Sequence, residues 1–262
     1  QAAENGNAES QNELGAMYFD GRDIPCDYTE SLKWLRLAAV QGNASAECQI
    51  GICYDLGHGV SQDFQEAGKW YLKAAEKGDH RAQVNLAALY DKGQGVPRDR
   101  QEAVKWLLKA AEQGDPRAQT CLGYRYAEGQ GIPRDYQEAR KWYRKAAEQG
   151  NSDAQYSLGF MLEKGMGGSP DLTQAGKWYR LAAEKDDYQA QSALGSLYAK
   201  GTGVPQDIEE GYFWLNLPPN PGSASKELLR ETASRIPPAR LKEIQKRFQT
   251  WIYEHRYGAR MK

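Results

Sequence analysis

Apolar and polar positions along the chain recur on one step of 36 residues. Trp34, Trp70, Trp106, Trp142, Trp178 and Trp214 fall on that step with no insertion between them. Gly21, Gly57, Gly93, Gly129, Gly165 and Gly201 keep it, and so do Asp27, Asp63, Asp99, Asp135, Asp171 and Asp207. A fixed period of this length marks a tandem array of small supersecondary units. Six repeats follow, at 7–42, 43–78, 79–114, 115–150, 151–186 and 187–222. Residues 1–6 read as the remnant of a preceding repeat, and 223–262 as capping helices.

Each repeat predicts two helices. The first opens on Asn7, Asn43, Asp79, Asp115, Asn151 or Asp187, good N-caps, with Pro116 at the favoured N1 position. It closes on the periodic glycine, which tolerates the left-handed turn of a helix end. The second opens on the periodic Asp. Three residues later stand Glu30, Glu66, Glu102, Glu138, Gln174 and Glu210, the spacing of a capping box. It closes at Gly42, Gly78, Gly114 and Gly150, with Asp186 the exception. Leu14, Ile50, Leu86, Leu122, Leu158 and Leu194 form the repeated core, each followed by Gly or, once, Ala87. Four positions on lie Tyr18, Tyr54, Tyr90, Tyr126, Leu162 and Tyr198, on the same helix face. One helix pair cannot bury such a face, so the repeats must stack.

Composition agrees. Val, Ile and Thr together number only 20 in 262 residues, which argues for an all-α chain. Lys and Arg number 34 against 35 Asp and Glu, and a net charge of −1 excludes a polybasic nucleic-acid binder. No apolar run approaches the ~18 residues of an integral membrane segment.

The pattern A-x-x-x-L-G-x-x-Y-x-x-G-x-G-V-P-x-D-x-x-E-A-x-K-W-x-x-K-A-A-E-x-G stands nearly complete from Ala82 to Gly114. It resembles the Sel-one-like repeat family, relatives of the tetratricopeptide repeats, over residues 7–217. The resemblance implies a right-handed superhelix of antiparallel helix pairs, with the first helices lining the concave side. It implies protein-binding scaffolds and adaptors, among them bacterial immunity proteins against secreted effectors. It favours a periplasmic or secreted bacterial location, with the cytoplasm also open.

Both ends depart from the repeat. Ala2-Ala3-Glu4-Asn5-Gly6 matches the end of a second helix, so the natural chain is expected to continue upstream. Leu217-Pro218-Pro219-Asn220-Pro221 must stop the sixth second helix early. Two more helices are expected at Lys226–Ser234 and Pro238–Glu254, the second with an apolar face of Ile236, Leu241, Ile244, Phe248, Trp251 and Ile252. The tail from Ser223 to Lys262, including Arg260, carries ten basic and four acidic residues; a solvated cap explains that excess better than a second contact surface.

Six internal copies separate positions that hold the fold from positions free to vary. On the first helix, positions 6, 10 and 13 of the repeat vary most, and their spacing puts them on one face. Position 6 reads Asn12, Cys48, Val84, Thr120, Tyr156, Ser192; position 10 reads Ala16, Ile52, Ala88, Tyr124, Phe160, Ser196; position 13 reads Phe19, Asp55, Asp91, Ala127, Glu163, Ala199. Tyr124, Tyr156 and Phe160, with Arg125 beside them, are the residue types that anchor interfaces. Flanked by Asp91 and Glu163, and with Ile52 on the same face, they form the candidate groove for a protein or peptide partner. The competing reading is that these aromatics fill gaps between neighbouring first helices.

Signals of catalysis are weak. His58, His80 and His255 have no metal-binding spacing, and no cofactor motif is present. Ser223-Ala224-Ser225-Lys226 matches S-x-x-K of penicillin-binding enzymes but lacks the companion motifs and sits in a Pro/Ser-rich linker. That match is all that supports the alternative of an enzyme acting on cell-wall or β-lactam substrates. Cys26, Cys48, Cys53 and Cys121 occupy four different repeat positions and define no disulfide framework. Cysteine-rich secreted relatives use a Cys pair in every repeat, where this chain has Ala75 and Gln83. The sequence therefore predicts an all-α solenoid acting as a monomeric, non-catalytic scaffold for a protein partner.

Overall fold

The computed structural model describes residues 1–256, and every regular element among them is a helix. The chain divides into two compact halves, residues 1–134 and 135–262. The N-terminal half holds α1 (Ala8–Asp20), α2 (Tyr28–Val40), α3 (Ala44–Leu56), α4 (Phe64–Glu76), α5 (His80–Lys92), α6 (Arg100–Glu112) and α7 (Pro116–Glu128). The C-terminal half holds α8 (Tyr136–Glu148), α9 (Ser152–Lys164), α10 (Leu172–Ala183), α11 (Tyr188–Lys200), α12 (Ile208–Asn216), α13 (Ser223–Ser234) and α14 (Pro238–Arg256). Within each half every helix packs on the next as far as α13, α14 packs back on α12, and α1, α3 and α5 also touch across repeats. This is the all-α solenoid that the period predicts.

Helix ends follow the predicted caps, with one correction. The Asn7 side chain accepts from the Ser10 amide at 2.8 Å, and Asp27 from the amides of Thr29 and Glu30. The reciprocal half of the capping box is not made. The Asp27 amide donates instead to the Tyr18 carbonyl at 3.0 Å, which ties the second helix to the first. The Glu30 carboxylate is thereby left to Lys33 at 3.2 Å, and Glu66, Glu102 and Glu138 pair with Lys69, Lys105 and Lys141 in the same way. At the end of the fifth repeat Asp186 takes φ 62°, the left-handed turn that Gly42, Gly78, Gly114 and Gly150 take elsewhere.

Small residues set how closely the paired helices approach. A Cβ on Gly51 would lie 2.5 Å from the Tyr71 ring, and one on Gly159 would lie 2.7 Å from Tyr179. Leu35, Ile50, Leu122, Leu158, Leu194 and the inner alanines Ala38, Ala74, Ala110, Ala146 and Ala182 are fully buried around these contacts. Of the repeated tryptophans, Trp34, Trp70, Trp142 and Trp178 are half-buried, while Trp106 and Trp214 are buried. Lys73, Lys109 and Lys145 lie 4.4, 3.9 and 4.1 Å from the ring centroids of Trp70, Trp106 and Trp142, shielding them by cation–π contact. The second glycine of each G-x-G loop has a separate purpose. A Cβ on Gly95 would fall 2.1 Å from the Phe64 carbonyl, so this loop rests directly on the start of the preceding repeat's second helix.

A tie between repeats was not anticipated. The buried Gln11, Gln83, Gln119, Gln155 and Gln191 each donate from Nε2 to the carbonyl of Ala3, Ala75, Ala111, Ala147 or Ala183, eight residues earlier. The second repeat has Glu47 at this place and pairs it with Lys77 at 2.8 Å.

At the C-terminal end α12 stops at Asn216, before the prolines, as expected. The next helix starts three residues earlier than predicted, at Ser223, with Gly222 as its N-cap. Ser223 and Lys226 therefore lie on the first turn of a helix, not in a linker. The last helix extends to Arg256. Its apolar face seats Trp251 against Phe213 and Trp214 at 5.9 and 5.3 Å between ring centroids, and Arg240 binds Glu209 at 2.6 Å. Ile236 and Ile244 are buried there. Arg260 and Lys262 of the basic tail lie outside the described residues. Among those described, no helix is long and apolar enough to cross a membrane.

Candidate functional site

The variable stripe divides by burial. At position 6, Asn12 and Cys48 are buried and Val84 and Thr120 half-buried, so in the N-terminal half this position packs. At position 13, Phe19, Asp55, Asp91 and Glu163 are half-buried, and Ala127 and Ala199 are buried. Position 10 is the one that reaches solvent, at Ala88, Tyr124 and Phe160, while Ile52 stays half-buried.

The acids at position 13 have internal partners, which explains why the position varies. Asp55 accepts from the Tyr71 hydroxyl at 3.1 Å, and Glu163 from the Tyr179 hydroxyl at 2.8 Å. Burial, reinforced by these carboxylates, pushes both phenols far above their usual pKa. Opposite Asp91 the second helix carries Leu107, and Asp91 turns instead to Arg125 on the next repeat.

In the N-terminal half the candidates form a clamp with one exposed ring. Arg125 donates to Asp91 at 2.9 Å and to the Gln130 side-chain oxygen at 2.8 Å, and its side chain is only 12% exposed. The Arg125 hydrogen bond, with Arg100 and Arg98 nearby, holds the Asp91 carboxyl below its usual pKa. Tyr124 is 47% exposed and accepts from Gln130 Nε2 at 3.3 Å. Gln130 thus bridges the ring and the clamp.

In the C-terminal half the candidates line a cleft. Tyr156 lies 6.4 Å from Phe160 and 5.8 Å from Tyr179 between ring centroids, and Lys164 reaches to 5.7 Å from the Phe160 ring. Phe160 is 38% exposed. With Tyr188, Ser192, Ser196 and Lys200 of α11 and the stretch from Pro218 to Ser225, these residues bound an open cleft of about 880 Å³. Burial, then the charges of Asp187 and Glu163, pushes the Tyr156 phenol up. Asp187 caps α11 through the Ala190 amide, and its own burial raises its carboxyl. The wall formed by the start of α13 escaped the sequence analysis, because Pro and Ser between Leu217 and Ser225 resemble a linker.

None of the histidines and cysteines lines this cleft. All four cysteines are free; burial pushes the Cys48 and Cys53 thiols up to about 12, far from reactive thiolates. His80 Nδ1 contacts the buried Asp115 carboxylate at 2.7 Å, and His58 stacks on Tyr28 at 4.2 Å. No group of three or more His, Cys, Asp or Glu among the described residues is arranged to hold a metal ion.

The Sel1 repeat pattern matches residues 8–43, 44–79, 80–115, 116–151, 152–187 and 189–217. The chain belongs to the Sel1 repeat family. This Sel1 repeat chain is similar to a solved Sel1 repeat protein from Oxalobacter formigenes, at 35% identity over 90% of this chain and 88% of that one, with a TM-score of 0.72. It is also similar to a protective antigen of uropathogenic Escherichia coli displaying an SLR fold, at 26% identity over 97% of this chain and 78% of that one, with a TM-score of 0.51. No curated protein matches it.

Proposed function

We propose that the chain is a non-catalytic scaffold that holds a protein or peptide partner, with the cleft between α9, α11 and α13 as its seat. The observation that carries this reading is the aromatic floor. Tyr156 and Phe160 face a concave space, where an apolar side chain of a partner loses water on several sides at once. The Arg125–Asp91 clamp has an internal role. The narrower role of immunity or adaptor protein for one secreted effector rests on the family resemblance, as does a periplasmic or secreted location.

A pull-down with the full chain tests the seat, with Tyr156→Ala/Phe160→Ala in parallel. Both side chains reach the cleft, so the double variant is expected to keep its helical circular dichroism and to lose one specific partner. A folded double variant that retains every captured protein ends this reading.

A further inference from the structure

We infer that the segment taken by this cleft is acidic: an extended peptide that sets an apolar side chain on Tyr156 and Phe160 and turns its carboxylates to Lys200. The inference rests on the reading above that the cleft is the partner's seat, and goes on to its chemistry.

The charge balance of the lining favours this occupant. Glu163, Lys164 and Lys200 are the charged side chains that bound the cleft. Glu163 is engaged from two sides, accepting from the Tyr179 hydroxyl at 2.8 Å and from Lys164 Nζ at 2.5 Å. Those two charges offset one another within hydrogen-bond distance. Lys200, exposed on the last turn of α11, pairs with no carboxylate among the described residues. The cleft therefore presents one uncompensated positive charge.

The other acids of these helices stand elsewhere. Asp153 lies in the first turn of α9 and Asp187 caps α11, whereas Lys164 and Lys200 end those helices. Thirteen residues of helix separate the two ends by about 18 Å. Neither Asp153 nor Asp187 lines the cleft, and Glu163, which does, is engaged by Tyr179 and Lys164, so a carboxylate seated beside Lys200 meets net attraction. Ser192, Ser196, Thr202 and Asn220 supply neutral donors and acceptors suited to an extended backbone. The first turn of α13 borders the same end, and its glycine N-cap brings no side-chain acceptor. Its amides add to a positive potential that Lys200 already establishes.

The test is selection of displayed random peptides on the full chain, followed by affinity measurement on wild type, Lys200→Glu and Phe160→Ala. The expected clones are rich in Asp and Glu around an aromatic or aliphatic residue. They should weaken about tenfold on Lys200→Glu and lose affinity steadily with added salt. Clones that are neutral or basic, or that bind Lys200→Glu undiminished while failing on Phe160→Ala, overturn the acidic assignment and leave the seat in place. Clones that bind Phe160→Ala as tightly as wild type, or a selection that enriches none, remove the seat and this inference with it.

Discussion

Tyr124 and Phe160 occupy the same repeat position, yet their surroundings differ. Around Tyr124 the neighbouring charges close on each other, Arg125 on Asp91, and the ring stands as an exposed edge. Around Phe160 the neighbouring acid is drawn to the Tyr179 hydroxyl, a second ring lies alongside, and the start of α13 supplies a wall. One aromatic on a helix face is a surface feature. Two aromatics beneath a non-repeat element make a cleft. The repeats thus provide interchangeable faces, and what interrupts the repeat turns one of them into a cleft.

The largest effect that would sharpen this contrast is in stability. Arg125→Ala leaves Asp91 half-buried without its main partner, and should cost about 2 kcal/mol by urea unfolding. If it instead left stability unchanged and weakened a partner, Arg125 would belong to the binding surface. Next comes affinity. Phe160→Ala should weaken the captured partner about tenfold, or about 1.4 kcal/mol, and Tyr124→Ala less than threefold, by titration calorimetry. Equal losses would erase the difference between the two faces. Tyr179→Phe removes the hydroxyl held by Glu163 while keeping the ring, at about 1 kcal/mol. Without the hydroxyl, Glu163 keeps only Lys164 and its negative charge is freer to repel an acidic occupant, so partner affinity should fall slightly.

The smallest effect is in pH, and its sign differs between the halves. Asp91 has a lowered pKa, so its stabilising contribution is present above the usual aspartate value of about 3.9 and is lost as pH falls through the lower folded value. Asp187 has a raised pKa, chiefly from burial, so its ionised form costs stability at neutral pH and the cost is relieved as pH falls through the raised value. Hydrogen exchange between neutral pH and about pH 4 should therefore show α11 gaining protection, with no loss from Asp91 in α5 until pH falls further. Parallel change in both helices would contradict the assignment.

The array was legible from the sequence because each repeat states its own ends. Cap, core leucine, glycine and tryptophan recur in register, and the structure places them accordingly. The roles of the variable residues were less legible. Asp55 and Tyr71, and Glu163 and Tyr179, stand 16 residues apart in both cases, a correlation present in the chain but visible only when the two helices are compared as a pair. Arg125 and Asp91 are 34 apart and meet only through stacking. The capping box was half right because the second-helix Asp amide is claimed by the first helix's tyrosine carbonyl. The start of α13 was hidden because Gly222 caps without a side chain, leaving no Asp or Asn to mark it.

The buried glutamines have a consequence for how the molecule comes apart. Gln191 reaches back to Ala183, and Gln155 to Ala147, so every first helix except α3, which has Glu47 there, clasps the turn that ends before it. A repeat that melts on its own takes one donor from its neighbour's carbonyl, leaving the Ala183 carbonyl only the Asp186 amide and the Ala147 carbonyl only the Gly150 amide. Opening should therefore run like a zip, one tooth releasing the next.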